Sequence, residues 1–162
     1  MNVFVLDNDP VVAARFQCDK HVVKMVLESA QLLCSAHHML MSDIPDRFYR
    51  LTHKNHPCSI WARSHPDNYN WLASHATGLL SEYTHRYGKT HKSTGIIEWC
   101  KGNPPLFTSA KQLPFAQAMP DQYKDDDPVV AYRNYYIEDK FTSIKMVWTK
   151  REMPNWMPQQ IK

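Results

Sequence analysis

The chain has 162 residues with a formal net charge of +3, and it is 43% hydrophobic and 22% charged. This length and composition predict one compact domain over residues 1–162, exclude a disordered chain, and leave room for a polyanionic partner without demanding one. Eleven prolines and only four glycines favour an all-α fold of about three main helices joined by long, proline-rich connections.

The amino-terminal segment, residues 1–8, is too apolar to extend into solvent, so we expect it to pack against the body of the protein. It lacks the features of a signal peptide, and no stretch of the chain reaches membrane-spanning length. Four scattered cysteines without a C-x-x-C pair are typical of free buried thiols in a reducing compartment. These features predict a soluble, cytoplasmic protein with no membrane partner.

The first two main helices have clear start or stop signals. Asp9 and Pro10 have the residue types of a helix N-cap and a first helical position, and a helical pattern follows to about residue 40. Because that length is unusual for a globular protein, a kink or break within it remains open. The second main helix is predicted from about residue 64 to residue 87, with Gly88 as its left-handed terminator.

Shorter elements and a third helix complete the pattern. A short helical turn is predicted over residues 56–63. Residues 89–127 contain four prolines and little periodicity, so we expect a long loop with short helical pieces. Asp127 and Pro128 then repeat the first start signal and open a third helix over about 129–139.

The first helix has a narrow polar stripe on an otherwise apolar surface. At helical spacing, the stripe contains Gln17, His21, Lys24, Glu28 and Gln31. Burying such side chains is unfavourable unless they are paired, hydrated in a cleft or used chemically. One interpretation is a surface Lys24–Glu28 pair with His21 packed beside it. The other places the stripe in a concave site, with Glu28 as its carboxylate and His21 in support.

Four short segments carry a resemblance to a known family. Asp19 and His21 form an Asp-x-His pair, and Glu28 follows seven residues after the histidine. The other segments are THKNHPCSIW (52–61), EYTHRYG (82–88) and, more weakly, AYRNYY (131–136). In these motifs the chain resembles the pyrimidine-dimer DNA glycosylases of the phage endonuclease V type.

The resemblance implies a compact all-α DNA repair enzyme that acts on damaged or modified pyrimidines in double-stranded DNA and needs no metal or other cofactor. In such enzymes the free α-amine of the chain attacks C1′ of the damaged nucleotide and forms a Schiff base, which also gives AP-lyase activity. An α-amine suits this step because its ordinary pKa is about 8, which leaves a neutral fraction at pH 7.

The resemblance also assigns roles to particular residues. The nucleophilic amine would be that of Met1, and Glu28 would stabilise the charge that develops on the sugar. His21 would orient Glu28 or bind a phosphate. We expect the protein to act as a monomer, in the host cytoplasm if a phage encodes it.

The chain departs from the family pattern at two points. Residue 2 is Asn, whose bulk blocks the removal of Met1, whereas the family exposes a small residue as its amino terminus. Leu27 and Gln31 stand where the family flanks its glutamate with arginines. A glycosylase with weak or no lyase activity, or one for a different modified base, is therefore left open.

Aromatic and basic residues elsewhere fit DNA binding. An enzyme that flips a nucleotide needs stacking surfaces beside phosphate-binding cations. The predicted nucleic-acid-binding residues are Lys24, Lys54, His56, Trp61, Arg63, Tyr132, Arg133 and Tyr136. For the tyrosines at 132 and 136, four residues apart, packing in the core is the alternative.

Two rival functions remain. One is a non-enzymatic protein on the same scaffold that binds nucleic acid or a nucleotide. The other is a His-dependent metal hydrolase, because the chain has nine histidines. The ligand spacings H-E-x-x-H and H-x-H are missing, however, so we predict no metal site. The glycine-rich phosphate loops and the G-x-S-x-G elbow are missing too, which leaves ATPase, dinucleotide and serine-hydrolase functions without support.

Overall fold

The computed structural model describes residues 1–108 and 111–159. Over these residues the chain is all-helical and compact, without a β-strand, so the predicted fold class is confirmed. The α-helices of seven or more residues are, in chain order, Pro10–Phe16 (α1), Asp19–Leu40 (α2), Pro57–Ser64 (α3), Pro66–Tyr87 (α4), Thr94–Gly102 (α5) and Pro128–Tyr135 (α6). That residues 1–162 form one domain stays a prediction, and residues 160–162 lie outside the described part.

Four helices begin with a capping residue followed by proline. The carboxylates of Asp9 and Asp127 accept main-chain amides of the first turns of α1 and α6, as the sequence predicts. His56 and His65 cap α3 and α4 in the same way, each through a ring nitrogen that accepts an amide. Gly88, with φ of 67°, ends α4 in the left-handed conformation that glycine adopts without strain.

The helical pattern over residues 10–40 is broken at Gln17 and Cys18. Both residues are extended, with ψ angles of 138° and 163°. The buried Arg86 side chain of α4 donates to the carbonyl oxygens of Arg15 and Gln17 at the end of α1. A guanidinium from a distant helix thus satisfies carbonyl groups that a continuous helix would have bonded internally.

The two long helices, α2 and α4, form the centre of the molecule and run antiparallel. His37 near the end of α2 hydrogen-bonds to Tyr69 near the start of α4, with 2.9 Å between imidazole and hydroxyl. At the opposite end Arg86 of α4 pairs with Asp19 of α2 at 3.0 Å. Residues 3–6 are at most 3% exposed, which confirms that the amino-terminal segment packs against the core.

The predicted loop over residues 89–127 contains more helix than expected. The nine-residue α5 begins at Thr94, and a 3₁₀ turn covers Asp121–Tyr123. Residues 109 and 110 lie outside the described part. The third predicted helix begins where expected, and a π-helical turn, Tyr136–Lys140, extends α6. In the described part of the chain, every helix is too short or too polar to cross a membrane.

Candidate active site

The amino terminus lies against the carboxylate of Glu28, in the middle of α2. The Met1 nitrogen is 3.7 Å from Oε1, and the main-chain amide of Asn2 donates to Oε2 at 3.2 Å. Glu28 is only 8% exposed, so the first two residues of the chain supply much of its polar surroundings. Glu28 of the polar stripe therefore lies in a site whose other wall is the amino terminus, whereas Gln17, predicted on the same stripe, lies in the break before α2 and is 3.0 Å from His75 Nε2.

A second amine stands beside the same carboxylate oxygen. The Lys24 Nζ is 3.8 Å from Glu28 Oε1, and the lysine side chain is 67% exposed. An ion pair this exposed contributes at most about 1 kcal/mol to stability. Lys24 is thus free to reach a ligand on the solvent side, and Glu28 has two amine neighbours, one on the main chain of Met1 and one on an exposed side chain.

The position of the amine is fixed by the side chains of residues 1 and 2. The Met1 side chain is only 3% exposed and packs against the core, whereas the residue as a whole is partly exposed. Its exposed part is therefore the main chain that carries the amine. The Asn2 side chain accepts a hydrogen bond from the Tyr132 hydroxyl at 2.9 Å and donates to the Ala118 carbonyl oxygen at 2.9 Å.

Asn2 is a site residue that the sequence did not reveal. The sequence suggested only one effect of Asn2, namely that its bulk blocks the removal of Met1. The available signal was a polar residue directly before the buried run at residues 3–6. A polar side chain that enters the core must find hydrogen-bond partners. The partner Ala118 lies 116 residues away in the chain, so the sequence near Asn2 does not reveal it.

His21 contacts the amino-terminal segment and the end of α6. Its ring stacks on Phe4 with centroids 4.3 Å apart and planes inclined by 13°, and its Nδ1 is 2.7 Å from the Tyr136 hydroxyl. Burial, followed by the positive charges of Lys140 and Lys24, lowers the pKa of His21 to about 3. The imidazole is therefore neutral at pH 7. Its predicted role of orienting Glu28 or binding a phosphate stays a prediction.

The start of α3 borders the site as well. His56 Nδ1 accepts the Cys58 amide at 3.1 Å, so the proton of the neutral ring lies on Nε2. Burial, and then the charge of the amino terminus, lower the pKa of His56, which favours this neutral form. Burial raises the pKa of the Cys58 thiol to about 11. Cys58 is thus protonated at neutral pH and is no nucleophile there.

The three aromatic residues predicted to bind nucleic acid lie in the core. Trp61 is 3% exposed, and Tyr132 and Tyr136 are fully buried. Burial raises the pKa of both tyrosines well above the ordinary value, so their hydroxyls act as protonated hydrogen-bonding groups. Their faces are covered by protein, so a DNA base has no free ring face to stack on at these three positions.

The predicted cations divide into two pairs. Lys24 and Lys54 are exposed. Arg63 donates to the Lys54 carbonyl oxygen at 2.6 Å and braces the loop before α3. Arg133 donates to the Leu6 carbonyl oxygen at 2.9 Å and lies 5.0 Å above the ring of Trp156. The two lysines are therefore available to phosphate groups, whereas the two arginines already hold other parts of the chain in place.

The histidines do not form a metal site in the described part of the chain, where no three His, Cys, Asp or Glu side chains are placed to hold an ion. Several serve the fold instead. His56 and His65 cap helices, while His37 and His75 are buried and hydrogen-bonded. A His-dependent metal hydrolase thus finds no ligand set among these residues.

Comparison with known proteins agrees with the motifs. Residues 1–94 match the family described as pyrimidine dimer DNA glycosylase, whereas searches among curated proteins and among solved structures found no match. The matched segment runs from Met1 through α1–α4 and includes Glu28 and Lys24. It is more than half of the 162 residues, and it contains both walls of the site around the Glu28 carboxylate. The resemblance drawn from the sequence is therefore confirmed, and the chain belongs to the pyrimidine dimer DNA glycosylase family.

Proposed function

We propose that this protein removes damaged or modified pyrimidines from double-stranded DNA, with the Met1 α-amine as nucleophile and Glu28 as the catalytic carboxylate. The observation that carries the proposal is the 3.7 Å approach of the Met1 nitrogen to Glu28 Oε1. An amine and a carboxylate at this distance can act on the same sugar carbon. The proposal includes AP-lyase activity, because an amine bonded to C1′ leads directly to a Schiff base.

The proposed reaction begins with attack of the neutral amine on C1′. The N-glycosidic bond breaks, its electron pair leaves with the base, and the amine nitrogen forms a bond to C1′ and loses a proton. The Glu28 carboxylate stabilises the positive charge that builds up on the sugar. This electrostatic stabilisation is strongest in a site shielded from water. Opening of the sugar gives the Schiff base, and removal of a C2′ proton then expels the 3′-phosphate.

Met1 is preferred over Lys24 as the nucleophile on geometric grounds. The Met1 side chain is only 3% exposed and holds the adjoining amine 3.7 Å from Glu28 Oε1, whereas the Lys24 side chain is 67% exposed and extends into solvent. Lys24, with its exposed side chain, is better suited to bind a phosphate beside the target nucleotide. Lys54, which is exposed on the loop before α3, is a further candidate for a phosphate contact.

Replacement of the carboxylate tests the catalytic assignment. We expect Glu28→Gln to lower base release from ultraviolet-irradiated duplex DNA by about a hundredfold or more, because the amide keeps the shape and removes the charge. Glu98→Gln, at an exposed position of α5, is the matched control and should retain full activity. Retained base release in Glu28→Gln would overturn the assignment, and DNA affinity without any product would favour the binding-only rival.

The nucleophile is identified by trapping. Incubation with damaged duplex and sodium borohydride should reduce the Schiff base to a stable adduct, and peptide mapping should place that adduct on residue 1. Lys24→Arg keeps the positive charge but cannot form the Schiff base, and it should trap as well as the unchanged protein. An adduct on Lys24 would show that the nucleophile is the lysine side chain and not the Met1 amine. Base release without any adduct would indicate a glycosylase that uses water and lacks lyase activity.

A further inference from the structure

A cavity with several charged and hydroxyl-bearing residues in its lining lies outside the active site, on the side of α4 that packs against α1. We name it the α4 pocket and define it by six lining residues from four segments: Arg15, Ser74, Thr77, Ser81, Lys101 and Arg151. Its volume is about 380 Å³, which is within the usual range for small-ligand sites. It shares no lining residue with the site around Glu28.

The charges around the α4 pocket are predominantly positive. Arg15, Lys101 and Arg151 reach it from α1, α5 and the carboxy-terminal segment. The acidic lining residue is Glu82, whose two carboxylate oxygens are held by Arg86 at 3.1 Å and Arg151 at 2.8 Å. In the part of the chain that the structure describes, no carboxylate pairs with Arg15 or Lys101 within 4.0 Å.

Four of the α4 residues that line the pocket are small, and three of them, Ser74, Thr77 and Ser81, carry hydroxyl groups. Half-buried Ser74 and exposed Ser81 line the pocket from α4, and Thr77 between them donates its own hydroxyl hydrogen to the Ala73 carbonyl oxygen. Gly78 has no side chain, which lets α1 approach α4 closely: an added Cβ would lie 3.1 Å from the Ala14 Cβ. Hydroxyl donors that line the same cavity as two cations without carboxylate partners suit a small, multiply charged oxyanion.

The pocket has no part in the reaction proposed above. The catalytic geometry involves residues 1 and 2 with α2, whereas the pocket is formed by α1, α4, α5 and Arg151. Lys101 and Arg151 also lie beyond the segment that matches the family, residues 1–94. The chemistry proposed at Glu28 therefore does not account for these cations, which line one cavity away from that site.

We propose that the α4 pocket binds a phosphate group, with Arg15 and Lys101 as the principal charged contacts and the serine hydroxyls as donors. The phosphate can be free in solution or belong to the backbone of a DNA segment that passes over α4. Both sources present the same tetrahedral oxyanion. Removal of the two cations should change DNA binding only if the ligand is a backbone phosphate. The proposal does not depend on catalysis at Glu28.

The test uses the full chain and inorganic phosphate. We expect 10 mM phosphate to raise the melting temperature by about 3 °C relative to chloride at the same ionic strength and pH. The double variant Arg15→Gln/Lys101→Gln should lose this shift. Lys92→Gln/Lys145→Gln removes the same charge at exposed positions outside the pocket and should retain the shift. Arg151 stays unchanged because it pairs with Glu82.

Affinity for undamaged duplex DNA, measured over a range of salt concentrations, separates the two sources. If the ligand is a backbone phosphate, the slope of log affinity against log salt should fall by about 1 in the Arg15/Lys101 variant and not in the control. An unchanged slope with a lost phosphate shift would assign the pocket to free phosphate. Absence of a phosphate shift in the unchanged chain, with equal slopes in both variants, would overturn the proposal. Glu28→Gln should retain the phosphate shift, so the two proposals fail independently.

Discussion

Asn2 connects the amine-bearing end of the chain to three other parts of the molecule. Its main-chain amide binds Glu28, and its side chain binds the Tyr132 hydroxyl and the Ala118 carbonyl oxygen. The Asn2 Oδ1 atom, which accepts the Tyr132 hydroxyl, also accepts a hydrogen bond from the Val3 amide at 2.7 Å. Because a displacement of about 1 Å at a reacting group can lower a rate by about a hundredfold, these contacts are expected to matter for catalysis.

Asn2→Leu is the corresponding residue-scale prediction. Leucine has a similar volume and is bulky enough to retain Met1, but it cannot make the three side-chain hydrogen bonds. We expect the rate of base release to fall by at least about tenfold, with little change in the affinity for damaged duplex. Single-turnover kinetics and a binding titration measure the two quantities separately.

Tyr132→Phe provides a graded control for this prediction. It removes one of the hydrogen bonds of the Asn2 side chain, together with the hydroxyl's bonds to the Ala116 carbonyl oxygen and the Ala118 amide, and leaves the Asn2 bond to the Ala118 carbonyl oxygen in place. Its effect on the rate should therefore be smaller than that of Asn2→Leu. Equal rates in the Leu variant and the unchanged chain would show that Asn2 does not position the amine.

At the scale of elements, α1 is held against α4 by the absence of a side chain at Gly78. A Cβ at this position would lie 3.1 Å from the Ala14 Cβ and 3.3 Å from the Val11 Cα. Both contacts are tighter than ordinary side-chain packing, and the second involves main chain, which cannot move aside cheaply. The short α1 thus depends on a glycine about 60 residues away for its close packing.

Gly78→Ala should therefore destabilise the protein, by about 1 to 2 kcal/mol in the free energy of unfolding, even though alanine favours helix more than glycine does. Gly95→Ala in α5 is the matched control, because an added Cβ there meets nothing within 4 Å. We expect the control to be stabilised by about 0.4 to 1 kcal/mol. Urea unfolding measures both, and a stabilised Gly78→Ala variant would contradict the packing argument.

At the scale of the whole molecule, several histidines are held in the neutral form by the fold. Burial is the main cause in each case, and it lowers the pKa to about 3 for His21 and to about 4 for His37 and His75. In the unfolded chain these rings take up protons near their ordinary pKa of about 6.5. The unfolded state therefore binds more protons than the folded state between about pH 6.5 and pH 4.

Stability should consequently fall as the pH drops below about 6.5. A histidine whose folded pKa is depressed contributes stability above its unfolded pKa and loses that contribution as the pH approaches the folded pKa. We expect each of the three rings to account for about 1 to 2 kcal/mol between pH 7.5 and pH 5. Urea unfolding at the two pH values measures the sum, and equal free energies would show that these rings are not kept neutral.

The local features of the fold could be predicted because they depend on residues that are neighbours in sequence. The Asp-Pro starts at residues 9 and 127 and the glycine stop at residue 88 are determined within one or two turns of helix. The polar stripe with Glu28 was visible for the same reason, since helical spacing alone aligns its members. These features were enough to indicate an all-α member of a glycosylase family, which the family match confirms.

The tertiary structure decided what depends on residues far apart in the chain. Tyr132 and Tyr136 have the residue type of a stacking surface, and only packing against the amino-terminal segment shows that they are buried. The break between α1 and α2 depends on Arg86, which lies 69 residues after Gln17. The approach of Met1 to Glu28 and the cations of the α4 pocket are likewise long-range contacts. No local pattern encodes them, because hydrophobic burial and ion pairing bring such residues together only when the helices pack.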